Sequence, residues 1–317
     1  MNRATITTVA IIIVLSAAGY GYTQWSRPQT ETITVSGAFA LYPLMVQWTD
    51  EYSKLHPNIK FEVSAGGAGK GMTDALNQLV DLGMVSRQIY PEEVQKGAFW
   101  VAVATDAVVV TVNADNPVLN ELTDQGFTAE KLVTIYVQGN FTTWGDVVGR
   151  PEVTDPINVY TRSDACGAAA TFAEYMGYAQ EDLLGMGVYG DPGLAEAVRG
   201  DPFAIGYNNV NYAYDMNTGL PLEGIAVVPL DVDGDGSISQ SENYYSDRES
   251  IIDAIAEGRY PSPPSRELNL VTKDEFKGAT LEFIRWVMAD GQEMATEAGF
   301  VPLSPERRQQ EISKLGG

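Results

Sequence analysis

The 317-residue chain carries 42 acidic against 20 basic residues, a formal net charge of -22, with 44% hydrophobic and 20% charged residues. That balance excludes a nucleic-acid binder, which needs a basic face, and suits solubility in a salty or extracytoplasmic setting. One cysteine (Cys166) and one histidine (His56) exclude an internal disulfide and a Cys/His zinc cluster, and a Ser-His-Asp triad would have to use His56 from the polar turn K-L-H-P-N-I-K.

A chain of this length buries a large core and divides into two domains. At its start Arg3 precedes an apolar run over residues 4–18, with small residues after it. The pattern reads as an export signal with Ser16-Ala17-Ala18 as a cleavage site. With Tyr20 and Tyr22 counted, the run approaches the roughly 18–20 residues of a membrane span, so an uncleaved anchor is the alternative. Residues 1–29 are therefore a leader or anchor plus linker, and the protein is expected to work outside the cytoplasm.

I-T-V-S-G-A-F-A-L-Y-P-L begins the folded part. Ile33 and Val35 make a strand, Ser36-Gly37-Ala38 a turn, and a helix starts near Leu41 or Pro43, since proline suits a first turn. Leu44, Met45, Trp48, Tyr52 and Leu55 share one helical face. Residues 59–64 alternate as a strand, and A-G-G-A-G-K-G leads into a helix predicted over 72–80. Glycines 66, 67 and 69 let a backbone wrap closely round a ligand, although a tight strand-to-helix turn uses the same residues. Lys70 lacks the G-K-S/T context of a nucleotide loop. D-L-G-M-V-S-R gives a short buried strand ending in Ser86-Arg87. The apolar run 107–112 reads as a central strand of a covered sheet, or one crossing between domains.

Residues 157–161 form another β-prone run, which ends in Arg162, passes through a polar turn and becomes helical after Cys166-Gly167-Ala168. Strand, basic residue, glycine turn and helix N-terminus together make an anion site. The first amides of a helix have no internal partner and carry about half a positive charge, and arginine adds a bidentate donor. Further on, D-V-D-G-D-G-S-I-S-Q-S-E over 231–242 matches the twelve-residue EF-hand-like calcium loop. Asp231, Asp233 and Asp235 supply carboxylates, Gly236 the turn, Ser237 a carbonyl, Ser239 a direct or water-mediated contact and Glu242 a bidentate close. An acidic surface turn is the plain alternative. I-A-V-V-P-L before it reads as a strand, so the site is expected to be structural calcium stapling an insertion.

In order along the chain, S-G-A-F-A-L-Y-P-L, A-G-G-A-G-K-G, D-L-G-M-V-S-R, D-A-V-V-V-T-V-N-A-D-N-P, F-T-T-W-G-D-V, R-S-D-A-C-G-A-A-A-T-F, A-I-G-Y-N-N, Y-P-S-P-P-S-R-E-L-N-L-V and, over 290–303, D-G-Q with G-F-V-P-L resemble the substrate-binding proteins of phosphate ABC importers. The resemblance spans nearly all of residues 32–304. It implies an α/β, two-lobed type II periplasmic-binding fold, each lobe a mostly parallel sheet flanked by helices, with the ligand in the cleft. Lobe one would hold 30–111 and 267–317, and lobe two 112–266. It also implies inorganic phosphate or a related oxyanion as ligand, permease subunits as partners, and a binding protein rather than an enzyme.

The candidate ligand set from lobe one is the turn Ala38, Phe39, Ala40, Leu41 and Tyr42, the amides at Gly67, Ala68 and Gly69, and Ser86 with Arg87. Lobe two offers Arg162, Asp164, Cys166, Gly167, Ala168 and Asn208 or Asn209. Asp164 is the candidate acceptor for the ligand's proton, with a helix N-cap as its plainer role. The family usually places Ser and Thr hydroxyls where this chain has Cys166, Ala168 and residues of the first turn. A phosphatase or Cys166-dependent transferase is the enzymatic alternative, since a thiol at a helix N-terminus beside Arg162 could be activated. A small pocket-lining residue is the simpler reading of Cys166. A membrane-anchored oxyanion sensor is a third.

Overall fold

The computed structural model describes residues 30–316; the leader or anchor expected over 1–29 lies outside them. Among the described residues nine strands run in chain order: β1 (Glu31–Gly37), β2 (Ile59–Ala65), β3 (Leu82–Val85), β4 (Ala98–Asn113), β5 (Asn158–Arg162), β6 (Met186–Val188), β7 (Ala204–Asn209), β8 (Ile225–Val228) and β9 (Ser265–Lys273). Four helices border the cleft between the lobes: α1 (Tyr42–Leu55), α2 (Ala68–Leu76), α3 (Gly167–Tyr175) and α4 (Gly190–Arg199).

The strands form one curled mixed sheet in the order β2-β1-β3-β9-β4-β7-β5-β6, with β8 also on β4. Parallel pairing, as βα repeats demand, joins β1 to β2 and β3, and β5 to β6 and β7. The middle is antiparallel. Residues 98–107 of β4 pair with β9, and residues 108–113 pair with β7 and β8. This 16-residue strand extends well before the predicted apolar run and passes from one core to the other. One core gathers Trp48, Met84, Val101, Leu270 and Phe283. The other gathers Val110, Tyr136, Trp144, Phe172 and Tyr207. The fold is thus α/β and two-lobed.

Helix α1 buries Leu44, Met45, Trp48 and Tyr52 as its periodicity predicts, and Trp48 Nε1 donates to Gly291 O at 2.7 Å. Leu55 is 56% exposed, because the last turn runs past the sheet it covers. Helix α2 starts four residues earlier than predicted, inside the glycine run. Close approach explains this: a Cβ on Gly71 would meet Met84 O at 2.5 Å and Gly37 Cα at 2.8 Å. The glycines here let α2 sit against β1 and β3, and that contact brings the helix start up to the cleft.

Candidate anion-binding site

Three chain segments from the two lobes meet at the cleft. They are the turn before α1, the first turn of α2, and the first turn of α3. Gly69 N donates to Ala165 O at 2.9 Å, directly joining α2 of one lobe to the residues before α3 of the other. Ser86, at the end of β3, lies against Gly167 so tightly that a Cβ there would stand 2.1 Å from Ser86 O. Tyr212 Oη reaches across to Phe39 O at 3.2 Å.

Among the described residues, the amides of Phe39, Ala40, Ala68, Gly167 and Ala168 donate to no protein group. The last four belong to buried residues, where an amide without an acceptor is uncommon. Other predicted donors are already bonded inside the protein. Ala38 N goes to Met84 O, Leu41 N to Ala38 O, Tyr42 N to Phe39 O, Gly67 N to Gly37 O, Gly69 N to Ala165 O and Cys166 N to Gln180 Oε1. Ala38 continues the strand pairing of β1, and Leu41 and Tyr42 close the turn.

Arg162 has a side chain 0% exposed. Asp164 receives its Nε at 2.8 Å and its Nη2 at 2.6 Å, and Asp191 receives Nη1 at 2.5 Å. Its guanidinium carbon lies 5.5 Å from the Phe39 ring centroid, across the cleft. Asp164 also accepts from Gly190 N. It does not cap α3: Cys166 does, with its Sγ accepting from Ala169 N at 3.3 Å. The Asp164 carboxylate is taken up by the Arg162 fork and Gly190 N instead.

Asn208 is fully buried, bonded to Thr111 Oγ1 and Asp191 O. Asn209 faces the charge cluster instead, donating to Asp191 Oδ1 at 2.5 Å. Arg87 is held by Glu93 through two nitrogens, at 2.7 and 3.0 Å, and stacks 4.2 Å over Tyr90. It lines the cleft mouth, a cavity of about 360 Å³ that Gly69, Cys166, Tyr178 and Glu181 also border.

Burial pushes the Cys166 thiol up to about 12 despite the opposing charge of Arg162, with Asp191 and Asp164 adding to the rise. The thiol is protonated at neutral pH, the reverse of an activated nucleophile. His56 is exposed and stacked on Tyr52 at 4.2 Å.

Asp106, on β4 where it passes between the cores, is buried with Oδ2 unpartnered. Burial raises its carboxyl from 3.8 to about 6, against the pull of Arg266 and the Ala107 amide and with a further push from Asp191. A raised acid takes up protons on folding between those values, so its contribution to stability is present at low pH and falls as pH rises from about 4 to about 6. Asp106→Asn is expected to remove about 2–3 kcal/mol of that decline. Urea unfolding at both ends of the window checks this, and parallel pH curves for the two proteins would refute it.

Residues 23–290 match the PBP superfamily domain. The chain belongs to the PBP superfamily. Among its relatives, phosphate-binding protein PstS of Methanocaldococcus jannaschii is 27% identical, the match covering 97% of this chain and 91% of that protein. The protein of the same name from Xylella fastidiosa strain Temecula1 is 26% identical over 88% of this chain and 84% of its own. In fold, the chain is similar to a phosphate ABC transporter substrate-binding protein of Clostridium perfringens solved with bound phosphate. The TM-score is 0.69 at 21% identity, covering 86% of this chain and all of the other. An ABC-type phosphate transport receptor of Vibrio cholerae gives a TM-score of 0.62 at 22% identity, with the same coverages.

Within this PBP-superfamily site, sequence reasoning missed Asp191, Asp106, Tyr212 and Arg266. Asp191 follows Gly190, whose φ of 75° opens α4, and that strand–glycine–helix signature was available in V-Y-G-D-P. Asp106 and Arg266 stand within two of the quoted motifs, but nothing local gives them a role there, because their partners are far away in the chain.

Proposed function

We propose that this protein is an extracytoplasmic solute-binding protein that captures inorganic phosphate, or a similar tetrahedral oxyanion, and delivers it to an ABC importer. One observation carries the reading: five amides without a protein acceptor among the described residues lie in three turns of two lobes, and those turns meet beside a buried arginine. Such amides bind an oxyanion without counter-ions, since each helix start contributes fixed positive dipoles. They also offset the lost hydroxyls at Cys166 and Ala168. The relatives' names support phosphate as the ligand. The buried, protonated thiol disfavours the Cys166-dependent transferase.

Titration calorimetry with phosphate, arsenate, sulfate, molybdate and tungstate tests the ligand. Phosphate is expected to bind and sulfate to bind at least about tenfold more weakly, a difference of about 1.4 kcal/mol. Heat from a metal oxyanion with none from phosphate would sink the assignment.

The lobe boundaries are placed at 30–111 with 267–317, and at 112–266. The core changes between Ala104 and Ala107, a few residues before the first boundary, so that residues 107–111 pack with the second lobe; it changes again between Tyr260 and Leu268, across the second boundary. Export and membrane anchoring rest on the sequence of residues 1–29. Among the described residues no helix is long and apolar enough to cross a membrane.

The loop over 231–242 is assigned to structural calcium. Carboxylate oxygens of Asp231, Asp233 and Asp235 lie within 4.8 Å of one another. Asp231 accepts from Gly234 N and Gly236 N, which folds the loop around it, and Glu242 reaches back to Val232 N at 2.8 Å. An all-oxygen donor set suits a hard cation. Ile238 N donates to Asp124 O, so the loop is tied to the second lobe. At calcium about a hundredfold above Kd the ion is expected to add about 2.7 kcal/mol. Chelation should therefore lower the melting temperature, and Asp231→Ala should erase the difference between chelated and calcium-loaded protein. An unchanged melting temperature on chelation would refute the assignment.

A further inference from the structure

Arg266, the second residue of β9, pairs in register with Asp106 of β4, at the crossing between the lobes. Its side chain is 6% exposed. Nε donates to Ser86 O at 3.0 Å, and Nη2 donates to Asn209 Oδ1. The nearest carboxylate oxygen, Asp106 Oδ2, is 3.6 Å from Nη2, beyond hydrogen-bond reach. Nη1 has no hydrogen-bond partner among the described residues.

Both groups that hold Arg266 belong to the cleft. Ser86 lies against Gly167, whose amide is one of the free donors. Asn209 bonds Asp191, and Asp191 bonds Arg162. The two guanidiniums therefore sit at opposite ends of one short chain of hydrogen bonds, but their charges are not equally committed. Arg162 is matched by two carboxylates in direct contact, whereas Arg266 has one loosely placed carboxylate and a spare donor. Asp106 Oδ2, itself without a hydrogen-bond partner, neutralises part of the charge but makes no hydrogen bond to Nη1. A buried charged donor with no acceptor is unfavourable and rare, so the expected complement of Nη1 is a group absent from the polypeptide. Fixing two nitrogens to backbone and amide oxygens also holds the planar fork still, which presents the third at little entropic cost.

We infer that Arg266 is a second guanidinium ligand of the bound anion, offered by the strand that joins the lobes and not by either lobe's helix starts. The inference rests on the oxyanion-binding reading above. Because Arg266 holds Ser86 of one lobe and Asn209 of the other, an anion bound to it would be read by both lobes through one side chain.

The test is calorimetry of the full chain with inorganic phosphate, comparing wild type with Arg266→Lys and Arg266→Gln. Loss of a charge-assisted hydrogen bond predicts about ten- to hundredfold weaker binding. Arg266→Lys, which keeps the charge without the fork, should recover only part of it. Wild-type affinity in either variant overturns the proposal while leaving the phosphate reading intact. No binding of any tetrahedral oxyanion by wild type overturns both. If neither variant folds, the structure of the wild-type protein with phosphate decides: an anion oxygen within about 3.2 Å of Arg266 Nη1 supports the proposal, and a separation beyond about 4 Å overturns it.

Discussion

Arg162→Ala is expected to cost about 3–5 kcal/mol of stability and to abolish anion binding. The side chain is fully buried, and its two partners, Asp164 and Asp191, are 8% and 2% exposed. Removing the cation leaves two carboxylates side by side in a region that water does not reach. The cost is mainly that uncompensated charge, not the value of the pairs themselves, so a double replacement with Asp191→Asn should restore part of the stability without restoring binding. Arg162→Lys should fall between, because a lysine cannot meet Asp164 through two parallel donors. Chemical denaturation and phosphate calorimetry on the same samples check both effects. Stability within about 1 kcal/mol of wild type for Arg162→Ala would show that the cluster is not dry.

Gly167→Ala is expected to separate binding from folding. Gly167 is the first residue of α3, where alanine is the better helix former, so the lobe itself should keep or slightly gain stability. Its Cβ, however, would stand 2.1 Å from Ser86 O and 2.2 Å from Ser86 Oγ, and neither the β3 backbone nor α3 can yield cheaply. The lobes would have to part, drawing the free amides of Phe39 and Ala40 away from those of Gly167 and Ala168. If two charge-assisted hydrogen bonds are lost at about 1.5–3 kcal/mol each, affinity falls by about two to four orders of magnitude. Small-angle scattering of the phosphate-loaded protein should show the variant more open than wild type. A variant that binds phosphate normally would mean that the contact between Ser86 and Gly167 plays no part in closure.

The cleft also explains how a chain with a net charge of -22 can be read as an anion binder. The donors proposed for the site are backbone dipoles and buried guanidinium groups acting at short range. Surface carboxylates act through water and salt, and are screened within about a nanometre.

Much of this was legible in the residues. Local patterns located β1, β2, β3 and β5, the helix starts near Tyr42 and Cys166, and the turn-rich acidic loop over 231–242, because each depends on neighbours within a few positions. Register along the chain identified the superfamily. Sequence alone therefore determined an α/β fold of two lobes and the places of three glycine-bearing turns before helix starts. Only the tertiary structure decided which amides stay free, since Ala38, Leu41, Gly67 and Cys166 lose theirs to partners that a local pattern does not reveal. It moved the cap of α3 from Asp164 to Cys166 and gave Asp164 to Arg162 instead. It also brought Asp106, Asp191, Asn209 and Arg266 into one buried cluster from four separate stretches of chain. The reason is physical: hydrogen bonds and burial at the cleft depend on contacts between residues far apart in the chain, and periodicity reports only what lies a few residues away.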